Sequence, residues 1–307
     1  MLFRSVELKG HWLGVEVLAM APGGKTFVSG GIDSTLRVWN TADIEKHAVL
    51  SGHSGAIVAA VMDADRGYVF SAGSDGKIIR WNLKTDLPDP GPDHFRTGDS
   101  SSVLALAASR DSSLLVSSGI DGALKIWDAA SGECRRSFER RLVTPGSFAV
   151  SPDASKMAMI GRDGHIYMYD ARKDEERLLK ISGDGELFIE LLAFRSSGKE
   201  LVACARSGLI GVYDPYDGKA LGTVKPAGGY INSMAIFAGE RRLLTHNGDN
   251  TLRLYEFESG GPGSEVKIVP LQIIPFTMRL TAFAASGDMI AAGDGAGYVR
   301  FFKIKVL

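Results

Sequence analysis

His11, Ser29 and Asp33 are the three side-chain types of a nucleophilic triad, in which an imidazole takes the serine proton and a carboxylate orients the imidazole. The same three types return at His53, Ser71 and Asp75, and each set ends on a tryptophan, Trp39 and Trp81, six residues after its aspartate. An enzyme rarely needs two triads. A unit repeated along a chain needs its internal brace every time, and the duplication favours that reading.

Two further stretches suggest phosphate binding. Gly23-Gly24-Lys25-Thr26 resembles the end of a phosphate loop, but the earlier glycine of that motif is replaced by Ala19, and a strand follows where a helix is required. Gly293-Asp294-Gly295-Ala296-Gly297 resembles a dinucleotide fingerprint, yet it lies between two strands, where glycine supplies positive φ. The remaining histidines, His47, His94, His165 and His246, have no metal-ligand spacing. Neither a catalytic set, a metal site nor a cofactor site is expected.

The elements that carry these residues repeat. GIDSTLRVW (31–39), GSDGKIIRW (73–81), GIDGALKIW (119–127), GRDGHIYMY (161–169), ARSGLIGVY (205–213), NGDNTLRLY (247–255) and DGAGYVRFF (294–302) align as seven copies. Their closing aromatics, Trp39, Trp81, Trp127, Tyr169, Tyr213, Tyr255 and Phe302, are separated by 42, 46, 42, 44, 42 and 47 residues. A second column, Leu36, Ile78, Leu124, Ile166, Ile210, Leu252 and Val299, marks the buried face of one strand per copy. Upstream, apolar residues recur at i, i+3 and i+5, as in Val15, Leu18 and Met20 or Ile231, Met234 and Ile236. A regular strand alternates every second residue, so the three-residue step predicts a bulge inside the first strand of each copy. Short strands separated by turn signals at this period mean an all-β chain.

A repeat of this length with a Gly-His pair, a turn aspartate and a closing Trp-Asp-type pair resembles the WD-repeat family. The motif is fullest in the first two copies; the third keeps Ser117, Asp121 and Trp127 but has Asp99 at the histidine position, and the sixth keeps Thr245 and Asp249. The resemblance implies a seven-bladed β-propeller of four-stranded antiparallel blades, forming one domain over residues 1–307. It also implies that His11, Ser29, Asp33 and Trp39, with their counterparts His53, Ser71, Asp75, Trp81, Ser117, Asp121 and Trp127, form hydrogen-bond networks inside blades. The last copy lacks a fourth strand, and residues 3–8 form a strand with no blade of their own. Pairing that strand with 299–303 completes blade seven and closes the ring.

The formal net charge of −1, from 35 basic and 36 acidic residues, argues against general nucleic-acid binding. Only two cysteines are present, and no apolar run is long enough for a signal peptide or a membrane span; an intracellular, cytoplasmic chain is expected. The resemblance implies a non-catalytic scaffold that docks proteins or peptides on its top face, the face carrying the turns between second and third strands. Partner-binding candidates there are Trp12, Arg162, Phe188, Arg206, Tyr230 and Arg279, with Glu16, Glu190 and Asn232 nearby. Hot spots favour Trp, Tyr and Arg. Arg162 and Arg206, at one repeat position in adjacent blades, suit an acidic or phosphorylated peptide. Trp12 could instead cover the groove between blades. A small-molecule or enzymatic site at the channel mouth, and an obligate subunit of a hetero-complex, remain alternatives to a monomeric scaffold. The Pro- and Gly-rich stretches 84–94 and 258–264 are read as connectors on the opposite, bottom face, and Arg80, which interrupts an apolar column, as a side chain reaching solvent.

Overall fold

The protein was analysed as a computed structural model that describes residues 6–63, 67–83, 93–95, 102–109, 113–138, 148–161, 163–181, 188–226, 229–237, 241–259, 265–276 and 279–303. Within these, the strands form seven four-stranded sheets, six of them sequence-continuous meanders. Blade one is typical: Val15–Met20, Thr26–Gly31, Thr35–Asn40 and Asp43–Ser51 lie side by side in chain order. The seventh sheet joins the two ends of the chain. Val6–Lys9 pairs antiparallel with Tyr298–Lys303, placing Glu7 opposite Arg300 and Leu8 opposite Val299. The all-β seven-bladed propeller, with its N-terminal strand closing the last blade, is the architecture of the chain.

Each sheet alternates apolar and polar residues and cannot bury its apolar faces alone. Seven apolar clusters solve this, and each is shared by two neighbouring blades. Val28, Leu36 and Leu50 of blade one pack with Ile57, Val69, Ile79 and Trp81 of blade two. Val15, Leu18, Phe27 and Trp39 of blade one pack with Ala284, Ala291, Val299 and Phe301 of blade seven. The closing aromatic of each copy belongs to the cluster shared with the preceding blade, as Tyr213 does with blade four and Tyr255 with blade five. All seven aromatics are buried. Truncating such a ring to alanine typically costs about 3–5 kcal/mol.

The bulge expected from the i, i+3 step is present in six described first strands, as a register shift after the first paired residue: between Val15 and Val17, Ile57 and Ala59, Val103 and Ala105, Ile189 and Leu191, Ile231 and Ser233, and Leu280 and Ala282. The skipped residue of each pair has no partner across the ladder and is re-aimed by the bulge. In blades one, six and seven it is Glu16, Asn232 and Thr281.

On the bottom face, arginines tie blades together in a way the sequence did not disclose. Arg80 donates to the carbonyls of Ala129 (3.1 Å) and Ala130 (2.8 Å) in the turn of blade three, and its guanidinium lies over the Tyr68 ring. This corrects the solvent-reaching expectation, because capped carbonyls and an aromatic face offer the cation more than bulk water does. Arg136 pairs with Asp174 of blade four, and Arg177 donates to the carbonyls of Pro215 and Tyr216 of blade five. Of the expected connectors, 84–92 and 260–264 lie outside the described residues. Glu258 and Ser259 belong to the third strand of blade six, paired with Lys267 and Val266, so that strand runs further than the glycine-rich composition suggested.

The brace residues bond to one another within a single blade. The Trp39 indole donates to Ser29 Oγ (2.8 Å), which lies 2.7 Å from His11 Nε2, while His11 Nδ1 lies 3.0 Å from Asp33. A carboxylate can only accept, so Nδ1 carries the imidazole proton and Nε2 accepts from the serine hydroxyl. Asp33 also accepts from the Trp12 and Thr35 backbone N–H groups and the Thr35 hydroxyl. The second copy matches: Trp81 to Ser71 (2.7 Å), Ser71 to His53 (2.8 Å) and His53 to Asp75 (3.0 Å). In the third, Trp127 donates to Ser117 (2.8 Å) and Asp121 accepts from the Ala123 N–H; Asp99 lies outside the described residues. Small residues are required beside the brace. A Cβ on Gly31 would stand 2.8 Å from the His11 ring, and one on Gly73 2.7 Å from both His53 and Asp75.

Burial lowers the His11 pKa from its ordinary 6.5 despite the adjoining Asp33. Burial by itself would raise the Asp33 carboxyl, but the bonds from His11 and Thr35 outweigh it and bring it below 3.8. Both shifts favour the deprotonated form in the folded chain. Their stabilisation is therefore complete above the ordinary histidine value, declines as pH falls below about 6.5, and declines again below about 3.8.

Three outcomes follow. Deleting residues 1–9 should lower the melting temperature of the whole ring, since it opens blade seven; an unchanged thermal transition would contradict the closure. Asp33→Ala should destabilise by about 2–4 kcal/mol, the scale of a charged acceptor lost beside a buried donor. Wild-type melting temperature should fall between pH 7 and pH 4, and a flat profile across that range would show that the braces do not contribute as drawn.

Candidate functional site

The triad-like sets cannot serve as nucleophiles as folded. Ser29 and Ser71 are fully buried, and each Oγ already accepts an indole N–H where an attacking lone pair would be needed. Among the described residues, no three His, Cys, Asp or Glu side chains are grouped to hold a metal ion. Both cysteines are free; Cys134 is exposed, and burial pushes the Cys204 thiol up to about 12, which makes it a poor nucleophile.

The top face differs in character. It is built by the second-to-third strand turns and by the connectors that lead into each first strand. Of eleven exposed large hydrophobic residues among those described, six lie there: Trp12, Leu13, Ile32, Ile120, Phe188 and Tyr230. Trp12 is 85% exposed, so it covers no groove between blades; its backbone N–H, not its ring, is held by Asp33. Phe188 and Tyr230 are 60% and 53% exposed. The Phe188 carbonyl accepts the Arg206 backbone N–H (2.7 Å), so these two candidates are neighbours on blade five. The Arg206 side chain is exposed and lies 3.8 Å from Glu190. Arg162 lies outside the described residues, and the expected pair of guanidinium groups is therefore not part of the described surface.

Tyr230 and Arg279 are brought together. Both line a cavity of about 1080 Å³ at the channel mouth, bordered by blades six, seven and one. The bulged residues Glu16, Asn232 and Thr281 all face into it, which connects the i, i+3 step in the sequence to the lining of the site. The Tyr230 ring lies against Gly248, where even a Cβ would stand 2.5 Å from the ring.

Several polar residues of this cavity were not proposed as site residues from the sequence, among them His246, Asn247, Asn250 and Asp294. A signal was available. Strand pairing sets Asn247 and Asp294 opposite the first residue of their first strands, the place taken by Gly31, Gly73, Gly119 and Ala205 in other blades. His246 occupies the place of Gly30, Ala72, Ser118, Cys204 and Gly293. It faces Ser233, where other blades have Val17, Ala59, Ala105, Leu191 and Ala282. Asn250 adopts the left-handed turn conformation at φ 60° and staples the connector into blade seven: its Nδ2 donates to the Phe276 carbonyl (2.8 Å) and its Oδ1 accepts the Leu280 N–H (3.3 Å). Burial, helped by the Arg279 charge, lowers the His246 pKa against the pull of Asn250 and Asp249. His246 is therefore mainly neutral at pH 7.

Comparison with known proteins supports this architecture. A family model described as "WD domain, G-beta repeat" matches residues 4–40, 44–82 and 92–128, the copies in which the Trp column is intact. A guanine nucleotide-binding protein subunit beta from Solanum tuberosum is 26% identical over 281 residues, covering 85% of this chain and 73% of that one. The pre-mRNA-splicing factor cwf17 of Schizosaccharomyces pombe is 28% identical over 172 residues, 55% of this chain and 49% of its own. Striatin-4 of Mus musculus is 28% identical over 187 residues, 53% of this chain and 24% of its own. Sheet topology, the brace geometry of the first three blades and these matches converge: the chain is a seven-bladed β-propeller whose first three copies match the WD40 repeat and whose sequence is similar to proteins of that family.

Proposed function

We propose that the chain is a docking scaffold that holds partner proteins or peptides on its top face. The observation that carries this reading is the collection of exposed aromatic and aliphatic side chains on that face, around a polar cavity. Apolar groups exposed together beside polar ones are the usual composition of a binding surface, whereas single exposed hydrophobics need no explanation. WD40 propellers are typically protein-interaction scaffolds, and relatives such as G-beta and striatin are generally non-catalytic, which supports the same reading.

The contact residues in this proposal are Trp12, Phe188, Arg206, Tyr230 and Arg279, with Arg162 of blade four extending the basic side. Trp12 and Tyr230 supply rigid apolar area at little entropic cost, and the arginines supply directional charge. The scaffold works in the cytoplasm in this reading, alone or as one subunit of a hetero-complex. Among the described residues no helix is long and apolar enough to cross a membrane. The channel-mouth cavity favours a second reading, a small-molecule site, because its size and polar lining would also suit a ligand of a few hundred daltons.

Photo-crosslinking amino acids placed at positions 12, 188 and 230, with positions 178 and 273 on fourth strands as controls, separate the possibilities in cells. Protein adducts from the first three positions and not from the controls are the expected result. Adducts from the controls alone would overturn top-face docking. Absence of adducts at every position would favour the small-molecule site.

A further inference from the structure

We propose that the channel mouth between blades six and seven is an anion subsite, in which Arg279, His246 and Asn232 receive one acidic side chain of a docked peptide. The inference rests on the docking reading and gives that surface its ligand chemistry.

Most polar groups at this mouth are already engaged. Asp294 pairs with Arg300 (2.6 Å) and accepts the Ala296 and Tyr298 N–H groups. Asn247 accepts the Thr245 hydroxyl (2.8 Å), and Asn250 is occupied by the connector it staples. Arg279 is different. It is exposed at the cavity, and among the described residues no acid lies within ion-pair distance of it. Arg206, by contrast, has Glu190 beside it. Next to Arg279, His246 is buried at a position that other blades fill with small or apolar residues, and a hydrogen bond with Asn250 holds its ring at the cavity wall. Asn232 is exposed on the bulge and adds a side-chain amide. Donor capacity therefore collects on one side of the cavity.

Blade one, whose Val15 carbonyl accepts the Thr281 hydroxyl, limits what fits. Glu16 lines the cavity from blade one. A single carboxylate or phosphate at Arg279 sets one charge against Glu16, whereas a dense acidic run would set several. The subsite thus suits an isolated acidic residue within an otherwise neutral segment. The Tyr230 ring beside it offers apolar area for the flanking residue.

Anion binding should also move a proton. Arg279 and burial keep His246 from protonating, and an anion between the two would reverse that influence. The other titratable groups around the cavity are the carboxylates Glu16, Asp249 and Asp294, the phenol Tyr230 and the guanidinium Arg279. The His246 imidazole is the group there whose protonation an anion beside Arg279 would favour, so binding of a carboxylate, which keeps its own charge, should tighten as pH falls from 8 to 6.

The test is an NMR titration of the His246 ring in the full chain, with inorganic phosphate, with N-acetylglutamate amide, and with chloride at matched ionic strength. The His246 titration midpoint should rise by about half a pH unit or more with phosphate or the glutamate derivative and stay in place with chloride. A larger response to one of the two identifies phosphorylated or carboxylate residues as the preferred occupant. In Arg279→Ala, an exposed change that leaves the fold intact, the rise should disappear; in Glu16→Gln it should occur at lower anion concentration. A midpoint indifferent to both anions in the wild type, or a rise that survives Arg279→Ala, overturns the subsite. Crosslinks from position 230 that persist in Arg279→Ala would leave top-face docking standing without it.

Discussion

Everything in this molecule depends on a shared interface between blades. A four-stranded sheet of about twenty residues has too little apolar area to be stable by itself. Each blade borrows its neighbour's, and the closing aromatic of the third strand fills the gap with the blade before it. An open chain of such units would leave one face bare at either end. Pairing of Val6–Lys9 with Tyr298–Lys303 removes both bare faces at once, and Arg300 secures the joint by bonding Glu7 on one side and Asp294 on the other.

That requirement sorts the residues by role. The sequence made the column from Trp39 to Phe302 legible because each aromatic must recur at one place in the unit, and spacing alone exposes such a constraint. The bulge was legible for the same reason, from Val15, Leu18 and Met20. The contacts of Arg80, Arg136 and Arg177 were not legible, since each partner lies in the next blade, tens of residues away, and is usually a backbone carbonyl that carries no sequence signature. The cavity was half legible. Tyr230, Asn232, Glu16 and Arg279 flank a recognisable strand start, whereas His246 and Asp294 stand out only once strand pairing shows that other blades hold small or apolar residues in their places.

Blade six and its neighbours illustrate how structure and function divide the same positions. In blades one and two, the space next to Gly31 and Gly73 is filled by the imidazole and carboxylate of a brace. Blade six has Asn247 at that place, and polar groups that would otherwise hold the sheet together now border an open mouth. The most complete motifs stabilise the ring. The copies that have drifted from them line much of the cavity in the proposed reading, while blade one adds Trp12 to the same face.

Hydrogen–deuterium exchange of the chain, free and with a captured partner, tests that division most directly. Protection gained on binding should fall on the connectors and turns around Trp12, Tyr230, Gly248 and Gly295, with the fourth strands unchanged. Protection confined to the fourth strands or to the bottom-face turns near Ala129 and Tyr216 would contradict top-face docking.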